Sequence, residues 1–247
     1  MSVPMKILPR FSLFLIAVSI ALSALQAQES TSSLVGSLDG DQYLSPTSAF
    51  RVAVPVLPEL GGSISDTDNV VTFQDSFNMH ESIACFKMDA TQRFEEETRG
   101  RKEYLIWFFS NFVQADFQQR FPGARIESAH YLAGTQSGAL LTYNLLPGGS
   151  MFAHRTVTLS ETEQPTAKRG NLIFVQNGYV FVISIELAEK VTQGAAYNKT
   201  VAEEDALLRA RLMGFLGKIT FAAPAVPANA PAEKPASPAA TAIPAAK

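Results

Sequence analysis

The stretch NLIFVQNGYVFVISIEL, residues Asn171 to Leu187, gives the most specific local indication of the fold. Two apolar runs, Asn171 to Gln176 and Tyr179 to Leu187, flank the pair Asn177-Gly178. Both central residues of a type I′ turn need a positive φ, and Asn-Gly is the pair that best tolerates it. The stretch therefore predicts a tight β-hairpin.

Further strands are predicted on either side of this hairpin. Phe50, Val52 and Val54 alternate with other residues, which is typical of a half-buried strand, and Pro55 ends that strand or places it at a sheet edge. A second hairpin is expected between residues 69 and 88, three strands between residues 125 and 159, and a last short strand after residue 218. The predicted ranges are Asn69 to Ser76, Glu81 to Met88, Arg125 to Leu132, Gly138 to Leu146, Met151 to Leu159 and Ile219 to Phe221.

Two stretches are typical of helices. The first runs from about Arg101 to Arg120, where apolar side chains recur at helical spacing until Pro122-Gly123 ends the helix. The second starts at Thr200, because Thr200 and Glu203 have the spacing of a capping box, and Gly217 ends it. The apolar positions are Leu105, Phe108, Phe109, Phe112 and Val113 in the first helix and Leu208, Leu212, Phe215 and Leu216 in the second. We expect the aromatic residues of the first helix in the core, with a hydrophobic-ligand cradle as the alternative.

These elements predict an α+β fold, a largely antiparallel sheet of about seven or eight strands flanked by two long helices in an α/β/α sandwich. Their order, together with the F-x-V-x-V-P strand from Phe50 to Pro55, resembles the PsbP/Mog1-like fold over residues 43–221. The resemblance implies a mainly non-enzymatic protein, because members of that fold are extrinsic subunits of photosynthetic complexes or partners of a small GTPase. No functional residue of those families matches a position in this chain, so none is carried over.

The two ends of the chain differ from its middle. Residues 1–27 combine Lys6 and Arg10 with an uncharged apolar run from Phe11 to Leu22, which predicts a signal peptide cleaved between Ala27 and Gln28. The alternative is a retained anchor, but the run is shorter than the ~20 apolar residues that a membrane span needs. We therefore expect an exported protein, periplasmic or secreted, with no transmembrane span after cleavage.

The remaining chain divides into three expected parts. Residues 28–42 are expected to form a flexible N-terminus of the mature protein, and residues 43–221 a single α+β domain. Residues 222–247 consist mostly of Ala and Pro, which cannot bury enough surface to offset their ordering entropy. This tail is expected to be disordered, as a passive linker or as a spacer or docking strip.

Charge and cysteine content narrow the classes of function. The net charge of the whole chain is −3, and it becomes −5 once a signal with two basic and no acidic residues is removed. Nucleic acid is therefore not an expected partner, since binding it would need a basic face. Cys85 is the only cysteine, so no intramolecular disulfide forms, and we expect it to be a packed core thiol.

The candidate chemical groups do not form a known motif. His80, His130 and His154 lie in three predicted elements without metal-ligand spacing, so we predict no catalytic residue, no metal site and no cofactor. Ser150 and His154 are four residues apart, ~13 Å along a strand, which is too far for proton transfer.

Two charged runs remain to be interpreted. Glu95 to Glu97, followed by Arg99, Arg101 and Lys102, is expected to form a solvated entry to the first helix or, alternatively, a docking patch. The run Lys168-Arg169-Gly170 is expected in a solvated loop.

Two hypotheses about function follow. The first is an exported, non-catalytic accessory or protein-binding domain of the cell envelope, with another envelope or secreted protein as partner. The alternative is a periplasmic small-ligand binder or hydrolase whose site is assembled from distant residues, with His80, His130 and His154 as the candidate groups.

Overall fold

The computed structural model describes residues 34–153 and 165–223. The predicted signal peptide, its cleavage point between Ala27 and Gln28, His154 and nearly all of the Pro/Ala-rich tail lie outside these residues. Within the described ranges, none of the helices is both long and apolar enough to span a membrane.

Within the described residues, eleven strands form two antiparallel sheets. The larger sheet has seven strands in the order β4-β5-β6-β10-β9-β8-β7, and the smaller has four in the order β1-β2-β3-β11. In chain order the strands are β1 Ser37–Asp39, β2 Gln42–Leu44, β3 Phe50–Ala53, β4 Ser63–Asp66, β5 Val70–Gln74, β6 His80–Lys87, β7 Arg125–Leu132, β8 Ala139–Pro147, β9 Thr166–Gln176, β10 Tyr179–Glu186 and β11 Ile219–Phe221. The predicted α+β class with an antiparallel sheet is confirmed.

The predicted Asn-Gly hairpin lies in the middle of the large sheet. Asn177 and Gly178 have φ values of 51° and 79°, as a turn with two positive φ angles requires. Gln176 pairs with Tyr179, and β10 pairs with β6 on its other side. The hairpin predicted from residues 69 to 88 is also present, as β5 and β6.

Two strand predictions differ from the structure. Residues 151–153, the described part of the strand predicted from Met151, form a turn that side-chain contacts hold in place. β9 begins at Thr166, well before Asn171, because Lys168 and Arg169 pair with β8. The run Lys168-Arg169-Gly170 is thus part of a central strand, and the expectation of a solvated loop is wrong.

The helices lie on both faces of the large sheet and differ in more than one region from the prediction. They are α1 Ala90–Arg99, α2 Arg101–Phe108, α3 Gln114–Arg120, α4 Ala188–Thr192 and α5 Val201–Leu216. The predicted helix from Arg101 to Arg120 is present as α2 and α3, joined by a π-helical turn at Phe109–Val113. α1 and α4 were not predicted; in α1, Asp89 and Gln92 form the capping box, and Gly100, at φ 78°, separates α1 from α2. The predicted capping box of Thr200 and Glu203 starts α5.

Each face of the large sheet has its own apolar core. On the α5 face, Phe174 and Phe181 stack with centroids 5.4 Å apart, and Phe73 meets Phe215 edge-on at 6.2 Å. On the α2 face, the core contains Tyr104, Leu105, Phe108, Phe109, Leu140, Ile173, Val180 and Val182. Cys85 is buried in the α5-side core, as expected, and burial raises the pKa of its thiol to about 12.

Candidate functional site

The helical layer over the α2 face exposes a row of three side chains in contact, Arg99, Trp107 and Phe112, called here the aromatic ladder. The guanidinium carbon of Arg99 lies 5.6 Å from the centroid of the Trp107 ring. Trp107 meets Phe112 edge-on, with centroids 5.5 Å apart and ring planes 80° apart. Trp107 is half-buried and Phe112 is 46% exposed. The same helices expose Phe94 by 63% and Ile106 by 37%.

The π-helical turn explains how the ladder forms. Residues five apart point in different directions on an α-helix of 3.6 residues per turn, whereas a π turn has i→i+5 hydrogen bonds and a wider circumference. This wider turn places Phe112 against Trp107. Asn111 Nδ2 donates to the Trp107 carbonyl oxygen at 2.8 Å, which stabilises the irregular turn.

The same turn directs the next residue inward. Gln114 is buried, accepts a hydrogen bond from Asn144 Nδ2 at 2.6 Å and donates to the Ala124 carbonyl at 3.3 Å. Asn144 in turn accepts from Asn171 at 3.0 Å, so a polar network crosses β8 and β9 under α3. Because this network is satisfied, it fixes the rotation of the helix and with it the exposure of Phe112.

A cleft of about 310 Å³ lies beside the ladder, between the α1–α2 junction and the turns of two hairpins. Arg101 crosses it, donating to the Val175 carbonyl at 2.9 Å and pairing with Glu96 at 2.5 Å. Ser137 and Asn177 line it from turns with φ values of 59° and 51°. The charged lining residues are Arg93, Glu96, Glu97 and Arg101, two of each sign.

The charged residues before the first predicted helix form ion pairs with one another in the structure. Glu95 pairs with Arg99 at 2.5 Å, while Glu96 and Arg101 pair in the cleft. Arg99 from this run also lies over the Trp107 ring. This arrangement suits the docking-patch interpretation, which stays a prediction.

A second charged cluster is buried between α5 and the sheet. Lys168 is 0% exposed, and its Nζ lies 2.9 Å from Glu204 Oε2 and 2.6 Å from Asp205 Oδ1. It also pairs with Glu127 on β7, and Lys190 pairs with Glu204 at 2.5 Å. Burial alone would lower the pKa of Lys168, but hydrogen bonds to the three carboxylates raise it overall. Lys168 stays charged, so it holds β7, β9 and α5 together and is no nucleophile.

A third polar cluster surrounds Glu186, which is fully buried at the end of β10. Its carboxylate accepts from Ser150 Oγ at 2.6 Å and from the Met151 backbone N–H at 3.1 Å. Arg169 lies 3.7 Å and His80 3.8 Å from Glu186 Oε2. Burial, and then the charge of Arg169, lower the pKa of His80 to about 3, so its imidazole is neutral at pH 7. The Ser150 hydroxyl closes the turn onto Glu186.

Two of the three candidate histidines, His80 and His130, lie in the described residues, and the structure does not bring them together. His80 is on β6 and His130 on β7, and three strands lie between them, which separates the two residues by ~19 Å. His130 is exposed and lies 6.3 Å from the ring of Tyr143, while His154 is outside the described residues. Across residues 34–153 and 165–223, no group of three or more His, Cys, Asp or Glu side chains could hold a metal ion.

Glu81 is a buried carboxylate that the sequence analysis did not single out. It is 8% exposed on β6, facing α5, and no group in the described residues forms a hydrogen bond with its Oε2. Burial raises its pKa to about 7, against the lowering effect of Lys218 and Arg211. A Glu beside the apolar run of a strand is the sequence feature that could have drawn attention to it.

Replacing Glu81 with glutamine is expected to stabilise the protein by about 2 kcal/mol at pH 8. Since the folded-state pKa of Glu81 is raised, its contribution is fully favourable below the unfolded pKa and is lost as the pH rises through about 7. Urea unfolding at pH 5 and pH 8 measures this difference, and Glu59→Gln, on an exposed turn, is the control. Equal stabilisation at both pH values would contradict the raised pKa.

Comparison with known proteins finds similarity in fold. No protein-family model matches the chain, and no curated protein is significantly similar to it. The solution structure of cyanobacterial PsbP (CyanoP) from Synechocystis sp. is 11% identical, with a TM-score of 0.46, over 76% of this chain and 99% of that one. The Saccharomyces cerevisiae Ran-binding protein Mog1p is 11% identical, with a TM-score of 0.43, over 75% and 96%. A Bacteroides thetaiotaomicron crystal structure is 9% identical, with a TM-score of 0.40, over 75% and 50%.

The predicted resemblance to the PsbP/Mog1-like fold is thus confirmed at the level of the fold. These identities are near 10% and the TM-scores are below 0.5, so no residue role and no function is carried over from those proteins. The chain is similar in fold to the PsbP and Mog1 structures.

Proposed function

We propose that this chain is an exported, non-catalytic accessory domain that binds another protein of the cell envelope through the aromatic ladder. The observation that supports this most directly is the partial exposure of Trp107 and Phe112 beside Arg99 on a helical surface. Tryptophan and arginine are enriched among the residues that contribute most to protein–protein binding. Stacked side chains also lose little conformational entropy when a partner covers them.

The surroundings of the ladder suit a protein partner. Phe94 and Ile106 add apolar area on α1 and α2, while Glu95, Lys102 and Glu103 supply mixed charges. An apolar centre with a charged rim is the usual arrangement of a protein interface. We infer a partner with an apolar depression for the Phe112 ring and polar groups of both signs around it.

Export is supported by the sequence alone. The charged, apolar and small-residue zones of residues 1–27 are those of a secretory signal, with cleavage between Ala27 and Gln28. N-terminal sequencing of the protein recovered from its own organism would test this part of the proposal. A mature chain that still begins with Met1 would contradict it.

Removing the two rings of the ladder is expected to weaken partner capture strongly while leaving the fold intact. Trp107→Ala with Phe112→Ala should weaken binding about 10- to 100-fold, which corresponds to ~1.4–2.8 kcal/mol. Wild-type and variant proteins, tagged and crosslinked in the native envelope, are compared for one partner that is identified by mass spectrometry. The affinity is then measured with that partner purified.

A matched control removes exposed apolar side chains elsewhere. The control variant combines Ile126→Ala with Val201→Ala. Ile126 is on β7 and Val201 begins α5, and both side chains are exposed. This control should capture the partner as the wild type does. If the ladder variant, shown by circular dichroism to be folded, binds the same partner with unchanged affinity, the proposal fails.

A further inference from the structure

A cavity of about 230 Å³ lies on the α5 face of the large sheet, away from the aromatic ladder. The turn between β5 and β6, the ends of β6 and β10, and the middle of α5 form its wall. Its lining residues are Asn78, Met79, His80, Glu81, Ile185 and Arg211. The volume lies below the ~300–1,000 Å³ typical of pockets for drug-sized ligands, so a small molecule fits it better.

One oxygen of the Glu81 carboxylate lacks a hydrogen-bond donor on this wall. Its Oε2 is buried and forms no hydrogen bond within the described residues. A buried acceptor without a donor costs the desolvation penalty of that group, and such groups call for an explanation. A ligand that donates a hydrogen bond from the cavity would remove this cost.

The neighbouring cations do not meet this need. Arg211 directs both terminal nitrogens of its guanidinium to Glu189, with Nη1 3.0 Å from Oε2 and Nη2 in contact with Oε1. Lys218 is exposed and acts on Glu81 only through its charge. His80 is neutral at pH 7 and lies nearest Glu186. The acceptor therefore stays open while the positive groups around it are directed elsewhere or remain in solvent.

We propose that this cavity binds a small organic cation, through a hydrogen-bonded ion pair between a primary ammonium group and Glu81. An ammonium group has three donors and a positive charge, so it can both fill the unpaired acceptor and neutralise the carboxylate. Ile185 and Met79 offer apolar contact for a short carbon chain. The site is separate from the docking function proposed above, because the two lie on opposite faces of the sheet.

Three probes of equal length and different charge test the proposal: butylamine, butyrate and butanol. Isothermal titration calorimetry with the full mature chain at pH 7 should show one butylamine site, bound at least tenfold more tightly than butanol, and no binding of butyrate. Glu81→Gln should weaken butylamine binding at least tenfold. Glu59→Gln and the Trp107→Ala, Phe112→Ala variant should bind it as the wild type does.

Proton release gives a readout that a merely structural role would not produce. With a pKa of about 7, Glu81 is about half protonated at pH 7, so pairing with an ammonium group should release about half a proton per bound amine. Titrations in two buffers with different ionisation enthalpies measure that number. No butylamine binding at 10 mM (roughly ten times a ~1 mM dissociation constant), equal affinity in Glu81→Gln, or tighter binding of butyrate would each overturn the proposal.

Discussion

Replacing Lys168 with methionine is expected to lower the free energy of unfolding by about 3–5 kcal/mol, a large fraction of the stability of a domain of this size. Methionine keeps most of the length of the side chain but removes the charge that Glu127, Glu204 and Asp205 share. Glu204 is almost fully buried, and among the described residues it would retain Lys190 as its one ion-pair partner. The carboxylates would then repel one another at the contact of α5 with β7 and β9. Urea unfolding at pH 7 measures the loss.

The pH dependence of this variant separates charge repulsion from lost packing. In the wild type, burial acts to raise the pKa of Glu204, but hydrogen bonds from Lys190 and Lys168 outweigh it and the pKa is lowered. A lowered pKa gives stability that is present above the unfolded pKa and is lost as the pH falls through the folded one. Without Lys168 this stabilisation is missing. The difference in free energy of unfolding between the variant and the wild type should therefore become smaller below about pH 4.5.

Lys199→Met is the matched control, because Lys199 is exposed. Its effect should stay within about 0.5 kcal/mol. A loss below about 1 kcal/mol for Lys168→Met would show that the three carboxylates find other partners or solvent, and the account of this cluster would be wrong.

The features that were predictable from the sequence are those determined by neighbouring residues. The turn at Asn177-Gly178 depends on two adjacent positive φ angles, and the start of α5 depends on Thr200 and Glu203, three residues apart. Both were predicted correctly because the physical cause lies within a few residues. The apolar residues of the predicted helix were mostly assigned to the core correctly, with Leu105, Phe108 and Phe109 buried.

The features that sequence reasoning missed depend on distant partners. Lys168 was expected in a solvated loop because its neighbours are polar, yet it meets Glu204 36 residues further along the chain. Phe112 was expected in the core; the π turn exposes it, and the residue that fixes that turn, Gln114, bonds to Asn144 30 residues away. Neither contact leaves a periodic pattern in the sequence.

The candidate sites also divide into features that neighbouring residues determine and features that distant residues determine. The charge run from Glu95 to Lys102 was interpreted as a solvated entry to the helix or as a docking patch, because the change of sign is visible in the sequence, and the choice between the two stays a prediction. Trp107 and Phe112 are five residues apart, a spacing that predicts different faces on a regular helix. Glu81 was missed because its Oε2 is unpaired only in the folded chain, where no neighbouring group of the described residues donates a hydrogen bond to it. The sequence does not show which groups surround that oxygen.

Replacing Glu186 with alanine is expected to cost about 3 kcal/mol and to loosen the turn at residues 148–152. The substitution leaves Arg169, whose side chain is 13% exposed, without its carboxylate, and it removes the acceptors of Ser150 Oγ and the Met151 N–H. Burial already lowers the pKa of Arg169, and Glu186 is the group that opposes this. Urea unfolding measures the stability, and hydrogen exchange measures the turn.

Two further variants separate the charge of Glu186 from its hydrogen bonds. Glu186→Gln keeps an acceptor for the turn but removes the charge opposite Arg169, so it should cost less than Glu186→Ala and leave exchange at the Met151 N–H nearly unchanged. Ser150→Ala removes one hydrogen bond and should cost about 1 kcal/mol. If Glu186→Gln is as stable as the wild type, the ion pair at 3.7 Å contributes nothing and the turn alone explains why this carboxylate is buried. If Glu186→Gln is as unstable as Glu186→Ala, the ion pair with Arg169 determines the stability of the cluster, and the hydrogen bond from Ser150 contributes little to it.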